Sequence, residues 1–149
     1  MKKQIKNIVN FILSGKRFGD KVAILYHFLN RSKPLFIKNV TVKNKDGTYM
    51  LGRLPSYLSS TAEDYEKELL PYFKGIRGDV IDVGAHVGKH TIRLAKNTKG
   101  KILSIEADPV NFKYLGTNLR INGCRDVIRV RLAASNKKGK TAFYKMYDG

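Results

Sequence analysis

A short apolar run that ends in an acid and leads into a glycine loop constrains the fold of this chain most strongly. The stretch runs from Gly78 to Lys96 and reads GDVIDVGAHVGKHTIRLAK. The run VIDVG is typical of a buried strand, and the residues after the loop repeat apolar side chains at helical spacing. Such a loop can hold an ATP phosphate, a dinucleotide pyrophosphate or the amino-acid end of S-adenosylmethionine.

Two more strands follow this unit, and a helix joins them. KILSIEAD is predicted to be a second strand, PVNFKYLGTNLRIN a second helix and VIRVRLAAS a third strand. Pro109 stands in the first turn of that helix, and Gly123 follows its end. Parallel strands joined by crossover helices form an α/β sheet that binds its ligand at the carboxyl ends of the strands. We therefore expect a partial Rossmann-like sheet of three strands.

The residues before this sheet predict helices and a β-hairpin. A first helix would place its apolar residues on one face, packed on its own domain against DKVAILYHFLN, a second helix capped by Asp20. FIKNVTVKNKDGTYMLGRL alternates around Asp46-Gly47, a strong hairpin signal. The residues of the first apolar face are Ile5, Ile8, Val9, Ile12 and Leu13.

A third helix is predicted in STAEDYEKELLPYF, which we take as the start of the second domain. Ser60 or Thr61 would cap it, with Glu63 or Asp64 completing a capping box, and Pro71 would end it early. The predicted domains are residues 1–59 and residues 60–149. At the far end of the second domain, KTAFYKMY is expected to be an extended antiparallel strand.

Two of the three candidate ligands fit the loop poorly. The loop of ATPases needs G-x-x-x-x-G-K-[ST], whereas Gly84 to Thr91 is one residue shorter and has His90 where a hydroxyl must reach Mg²⁺. The dinucleotide fingerprint G-x-G-x-x-G falls on Gly84, His86 and Lys89, so that two of its three glycines are missing.

The third ligand, S-adenosylmethionine, suits the acids around the loop. A helix N-terminus suits its carboxylate, and Asp82 at the end of the first strand suits its ammonium and sulfonium. Glu106 ends the second strand at the offset expected for an acid that accepts the ribose hydroxyls. The alternatives are that Asp82 caps a turn and that Glu106 is a surface charge.

The motifs in their order resemble the cofactor-binding part of FkbM-type methyltransferases, which have a class I methyltransferase fold. The resemblance covers residues 60 to 147. It rests on VIDVGAHVG, on the E-x-x-P stretch from Glu106 to Pro109, on the helix end from Asn118 to Gly123, and on RLAAS after the third strand. It implies S-adenosylmethionine as cofactor and O-methylation of a hydroxyl acceptor, namely a small molecule, a glycan or a lipid.

The resemblance also implies roles for single residues. Gly84, Ala85 and Gly88 would line the methionyl group, Glu106 would bind the ribose, and Asp108 would lie near the adenosine. Ala133 and Ala134 would flank the adenine edge through their backbone. His86 stands where the family often has Asn, and we expect it to shape the turn rather than to catalyse. No catalytic residue and no metal ligand is assigned.

The fourth strand of that family, which reads like I-K-I-D-V-E-G-x-E, has no counterpart after KTAFYKMYDG. We therefore expect a fragment or truncated chain without its acceptor half, inactive alone, with half of a two-chain assembly as the alternative. The first strand of its sheet would be an open apolar edge, a site for self-association.

The net charge of +17 indicates attraction to anions or, alternatively, a lysine-rich surface that serves solubility or a hot environment, which the spread of the lysines along the chain favours. One alternative is therefore a basic nucleic-acid-binding module with a vestigial cofactor fold, which is less favoured because no recognition motif is evident. Another is contact of residues 1 to 18 with an anionic membrane surface. The single cysteine, Cys124, excludes an internal disulfide and a cysteine-based zinc site, and indicates a cytoplasmic location.

Overall fold

The computed structural model describes residues 2–30, 38–53, 55–140, 142 and 144, except for the side chains of residues 2–4 and 55. Its residues group into two compact units, a first that runs to Tyr65 and a second that begins at Glu66. The predicted division after residue 59 stays a prediction. Most of the predicted strand KTAFYKMY and the residues around Pro34 lie outside the described residues.

The first unit begins with two helices, α1 (Lys2–Leu13) and α2 (Phe18–Leu29). They contact each other through the rings of Phe11 and Phe28, which meet edge to face with centroids 6.0 Å apart. The expectation that the apolar face of α1 packs on its own domain is wrong for four of its five residues, because their side chains are exposed. The exposed residues are Ile5, Ile8, Val9 and Leu13.

The start of α2 differs from the prediction by one helical turn. Arg17 is the N-cap, and Asp20 lies three residues further on, where its carboxylate accepts hydrogen bonds from the backbone N–H and the guanidinium of Arg17. Asp20 therefore stabilises the helix start from inside the first turn. Burial raises the pKa of Asp20, but the bonds from Arg17 outweigh burial and hold it below its usual value.

The predicted hairpin is confirmed as strands β1 (Val40–Lys43) and β2 (Thr48–Leu51), which pair antiparallel. Its turn is centred on Lys45 and Asp46, since Asn44 and Gly47 exchange backbone hydrogen bonds across it. The Asn44 side chain accepts bonds from the N–H groups of Asp46 and Gly47. An asparagine at the first turn position thus moves the turn one residue towards the N-terminus.

The predicted helix with a capping box at Ser60 or Thr61 is wrong. These residues end helix α3 (Pro55–Thr61), where their hydroxyls donate to the carbonyl oxygen of Tyr57. The chain then passes through a 3-10 turn (Lys67–Leu69) into α4 (Leu70–Phe73), and Pro71 stands in the first turn of α4 instead of ending a helix. Serine and threonine can satisfy either end of a helix, so their presence did not decide which end this was.

The second unit contains the predicted parallel sheet, which confirms the α/β fold class. The strands are β3 (Val80–Val83), β4 (Ile102–Ile105) and β5 (Val127–Val130), in the order β3-β4-β5. The crossover helices are α5 (Lys89–Ala95) and α6 (Pro109–Ile121). Every one of these elements was predicted.

Both crossover helices cover the same face of the sheet. Asp82, Ser104 and Arg129 form one row across the three strands. The first two bond or contact Thr91 of α5, while Arg129 lies over the ring of Phe112 in α6 and donates to its carbonyl oxygen. The opposite face carries only aliphatic residues in the three strands: Ile81, Val83, Leu103, Ile105, Ile128 and Val130.

The prediction that VIDVG is a buried strand is therefore only half right. Ile81 is 64% exposed and Val83 60% exposed, because among the described residues β3 pairs only with β4 and no helix lies on that face. No helix in the described part of the chain has the length and apolar character needed to cross a membrane.

Candidate functional site at the carboxyl edge of the sheet

The carboxyl ends of the three parallel strands meet at one edge of the second unit. The backbone N–H groups of Gly84 and Ala85 donate to the carbonyl oxygen of Ile105, at 2.8 and 3.0 Å. The N–H of Glu106 donates to the carbonyl oxygen of Val130 at 3.2 Å. These bonds bring together the loop after β3, the tip of β4 and the chain that leaves β5. The sequence predicted this edge as the ligand site.

The loop itself uses three residues with positive φ. They are Gly84 at 79°, His86 at 51° and Gly88 at 95°. A side chain at Gly88 would meet the Leu115 side chain of α6 at 2.9 Å, whereas one at Gly84 would meet nothing within 4 Å. A side chain at Gly88 would thus need the Leu115 side chain to shift, whereas Gly84 lies beside open space that a ligand can fill.

His86 lies at the turn of the loop, and its role in shaping that turn rather than in catalysis stays a prediction. Its φ of 51° is a left-handed conformation, in which Asn and His occur more often than most residues. Asn would therefore satisfy this backbone as well. The neighbouring Ala85 is buried.

Glu106 closes the loop from the tip of β4 and is only 7% exposed, so the surface-charge alternative is wrong. One carboxylate oxygen accepts a hydrogen bond from the backbone N–H of His86 at 2.8 Å, and the other accepts one from the N–H of Asp108 at 2.8 Å. Each carboxylate oxygen has a second lone-pair direction. The side-chain amide of Asn111 lies 3.5 Å from the oxygen that accepts from Asp108, at the outer limit of a hydrogen bond. Glu106 can therefore hold the loop in shape and still accept ribose hydroxyls.

Asp108 is the N-cap of α6. Its carboxylate accepts hydrogen bonds from the N–H groups of Val110 and Asn111, at 2.7 and 2.8 Å. Its predicted place near an adenosine is not tested by these contacts. These hydrogen bonds stabilise the start of α6, which lies beside Glu106.

Asp82 lies on the helix-covered face of β3, where the backbone N–H of Thr91 in the first turn of α5 also donates to it. Its carboxylate accepts a hydrogen bond from the Thr91 hydroxyl at 2.5 Å, and that hydroxyl lies 3.2 Å from the Ser104 hydroxyl. Burial raises the pKa of Asp82, the Thr91 bond and the charge of His90 lower it, and the charge of Glu106 raises it further. The net pKa lies above the usual value, so a positive charge nearby would stabilise the ionised form.

Two supporting contacts were missed by the sequence interpretation. His90, next to the loop in α5, pairs with the Glu66 carboxylate and lies edge-on to the ring of Phe73. Asn118, fully buried in α6, donates its side-chain amide to the carbonyl oxygen of Val87 at 2.8 Å. A signal existed for Asn118, because an amide among the apolar residues of a helix needs a buried partner. For His90 the partner lies 24 residues upstream, and no local pattern indicates it.

The remaining predicted residues, Ala133 and Ala134, lie in an exposed irregular segment after β5. Their assignment to an adenine edge stays a prediction. Among the described residues, no group of three or more His, Cys, Asp or Glu side chains could hold a metal ion.

Comparison with protein families identifies the kind of domain that this chain contains. The model of the TRM5/TYW2 methyltransferase domain matches residues 41–143, which is more than half of the chain. The chain belongs to this family. Its predicted class I methyltransferase character is thereby confirmed, while the finer FkbM assignment finds no support. Among curated proteins, no sequence matches the chain.

Solved structures agree with the TRM5/TYW2 family. M. jannaschii TYW2 in complex with S-adenosylmethionine is 25% identical, with a TM-score of 0.50 over 68% of this chain and 47% of its own. P. horikoshii TYW2 in complex with MeSAdo is 17% identical, with a TM-score of 0.52 over 82% of this chain and 50% of its own. The M. jannaschii tRNA m1G37 methyltransferase is 15% identical, with a TM-score of 0.53 over 78% and 41%.

Two consequences follow for a TRM5/TYW2 domain of this size. The predicted cofactor, S-adenosylmethionine, is the cofactor of the family and is bound in the M. jannaschii TYW2 structure. The chain spans half or less of the length of these three solved structures.

Proposed function

We propose that this chain is the cofactor-binding part of an S-adenosylmethionine-dependent methyltransferase that acts on tRNA. The observation that carries the proposal is the match of residues 41–143 to the TRM5/TYW2 methyltransferase domain. One solved neighbour is named a tRNA methyltransferase. The net charge of +17 supports a polyanionic acceptor, because it attracts phosphates.

The residues at the carboxyl edge fit the cofactor. The loop from Gly84 to Gly88 would receive the methionyl end in the open space beside Gly84. Glu106 would accept the ribose hydroxyls through its remaining lone pairs, and the ionised Asp82 would favour the positive charges of the ligand from the covered face of β3. When bound, the cofactor supplies an electrophilic methyl group. The protein holds it oriented, and orientation accounts for much of the catalysis of such transfers.

The acceptor differs from the one expected on the FkbM resemblance. The small-molecule, glycan and lipid hydroxyl acceptors have no support from the comparisons, and O-methylation has none either. A nucleic-acid partner, which the sequence interpretation favoured less, is the one consistent with the TRM5/TYW2 family. We assign no catalytic residue.

The cofactor part of the proposal is tested by calorimetric titration of the chain with S-adenosylmethionine. We expect saturable binding that Glu106→Gln weakens at least tenfold, since the neutral amide is a poorer acceptor for two hydroxyls. Glu68→Gln, a change of the same type at an exposed residue of the second unit, is the matched control and should bind as the unchanged chain does. Equal affinity of the two variants would refute the assignment of Glu106.

The acceptor part is tested by following a radioactive methyl group from the cofactor into unmodified tRNA. Since the chain is expected to be inactive alone, any methyl group that is incorporated should enter tRNA and none should enter hydroxyl-bearing sugars or lipids. Incorporation into a sugar or a lipid would refute the tRNA acceptor. A basic nucleic-acid-binding module with a vestigial cofactor fold remains the second candidate, because the charge alone supports it. That candidate predicts tRNA binding with no affinity for S-adenosylmethionine.

Three further predictions stay open beside this proposal. They are the cytoplasmic location, contact of residues 1 to 18 with an anionic membrane, and self-association through the edge of β3. Co-sedimentation with phosphatidylglycerol vesicles, compared between the whole chain and a chain lacking residues 1 to 18, tests the membrane contact.

A further inference from the structure

The segment that leaves β5 is a strongly basic surface. Residues 131–140, which we call the basic edge segment, read RLAASNKKGK, and all ten are exposed. Four of them are cations, and none is an acid: Arg131, Lys137, Lys138 and Lys140. Ten consecutive exposed residues with this composition attract anions and gain little from packing.

The basic edge segment begins at the carboxyl edge of the sheet. It begins directly after Val130, whose carbonyl oxygen accepts the hydrogen bond from the backbone N–H of Glu106. It therefore starts at the same edge of the sheet as the loop from Gly84 to Gly88. An anion that binds its first residues lies beside the candidate cofactor site.

The acids of that edge do not cancel this charge at the surface. Glu106 and Asp108 are both buried, and their carboxylates accept hydrogen bonds from backbone N–H groups. Asp82 is turned to the covered face by its bond with Thr91. From Val127 to Lys140 the chain contains no acid at all. The charges presented to solvent by this segment are therefore uniformly positive.

We propose that the basic edge segment binds the phosphate backbone of the RNA acceptor and so holds the acceptor next to the cofactor loop. The proposal rests on the proposed function for its choice of polyanion. Contacts of this kind fix the register of a nucleic acid without reading its sequence, and each phosphate neutralised adds to the salt dependence of binding.

The test uses two triple variants of the full chain that remove the same number of charges from opposite edges of the sheet. Lys137→Gln, Lys138→Gln and Lys140→Gln neutralise the basic edge segment. Lys96→Gln, Lys99→Gln and Lys101→Gln neutralise three exposed lysines that precede β4, at the amino edge. Fluorescence anisotropy with labelled unfractionated tRNA, at salt concentrations from about 50 to 300 mM, measures affinity and its salt dependence.

We expect the first variant to bind tRNA about tenfold more weakly at physiological salt. The plot of log affinity against log salt should become less steep, with the magnitude of its slope smaller by about 3. The control should change the slope by less than 1. Equal losses in the two variants would show that only net charge matters and would overturn the proposal. Unchanged tRNA binding in the first variant, or loss of its binding to phosphatidylglycerol vesicles alone, would overturn it as well.

Titration with S-adenosylmethionine separates this inference from the proposed function. Both variants should bind the cofactor as the unchanged chain does, which also shows that they fold. If the unchanged chain binds tRNA through the basic edge segment but does not bind the cofactor, the proposed function fails and the surface assignment stands. If it binds the cofactor but no tRNA, the surface assignment fails.

Discussion

The two faces of the parallel sheet differ in polarity, and the polar residues lie on the face that the helices cover while the apolar residues lie on the more exposed face. The face under α5 and α6 is the covered one, yet it carries Asp82, Ser104 and Arg129 in a single row, in which Ser104 is buried, Asp82 half-buried and Arg129 exposed. The other face carries aliphatic side chains throughout the three strands, and Ile81, Val83 and Ile128 on it are more than half exposed.

The two faces make different contacts. The polar groups of the covered face are joined by hydrogen bonds to the helices, so that Asp82 is bonded to α5 right beside the loop. The aliphatic face has the composition of a sheet that is covered on both sides, as in most parallel sheets. Among the described residues, only one side is covered.

The largest expected effect comes from trimming equivalent residues on the two faces. Ile102 is 4% exposed on the covered face, and Ile128 is 54% exposed on the aliphatic face. Ile102→Ala should lower the free energy of unfolding by about 2–5 kcal/mol, because it leaves a cavity under the helices. Ile128→Ala should lower it by about 1 kcal/mol or less. Urea denaturation followed by circular dichroism measures both. Similar losses would mean that the aliphatic face is covered in solution.

A smaller effect is expected from the glycine that lets α5 and α6 close over the covered face. Gly88→Ala forces a side chain into a φ of 95° and against Leu115, and should cost about 3 kcal/mol. Gly84→Ala has a similar φ but open space, so it isolates the conformational cost of about 1 kcal/mol. Thermal unfolding of the two variants gives the comparison. Equal costs would show that the contact with Leu115 relaxes freely.

Replacing the half-buried Asp82 should separate its effect on stability from its effect on cofactor binding. Because the pKa of Asp82 is raised in the folded chain, chiefly by burial, the folded state holds its proton more tightly than the unfolded state. The stabilising contribution of this proton is complete below the unfolded pKa of about 3.9 and is lost as the pH rises through the folded pKa. Asp82→Asn should therefore raise the melting temperature at pH 7 and change it little near pH 3.

The same variant should bind S-adenosylmethionine more weakly, because it no longer offers a negative charge to a cationic ligand. Differential scanning fluorimetry across pH, with and without the cofactor, measures both effects. Asp64→Asn, at an exposed aspartate of the first unit, is the control and should alter neither. A melting temperature at pH 7 below that of the unchanged chain would contradict the burial argument.

The smallest effect on stability is expected on the aliphatic face itself. Ile81→Thr combined with Val83→Thr keeps β-branched side chains in β3 while making its exposed face polar. The free energy of unfolding should change by about 0.5 kcal/mol or less, as for other surface substitutions. Sedimentation velocity should show less self-association than in the unchanged chain. A monomeric unchanged chain would refute the predicted association through this edge.

Much of the second unit could be predicted from the sequence, because its signals are local. Its strands and helices are indicated by apolar runs, by Pro109 at a helix start and by Gly123 after a helix end. Elements that are adjacent in sequence here are also adjacent in space. The region around Ser60 and Thr61 failed for the opposite reason. The same hydroxyl can cap a helix start or bond back to a helix end, and only the packing of α3 decides between the two.

The site was predicted in its position and less well in its contacts. The offset between Gly84 and Glu106 placed both at one sheet edge, as the structure has them. The bond from Glu106 to the His86 N–H depends on the path of the loop, and the pair of His90 with Glu66 joins residues that no motif connects. Contacts of this kind follow from three-dimensional proximity, which spacing does not encode.

The sequence by itself determined the order of strands and helices, the glycine loop with its adjoining acids, and the excess of positive charge. These properties depend on residues close together in the chain or on the composition as a whole. Only the tertiary structure decided which sheet face is covered, that Glu106 is buried, and that the cations of residues 131–140 begin beside the loop. Burial and electrostatic exposure depend on what surrounds a residue in space, so they are set once the strands have paired and the helices have packed.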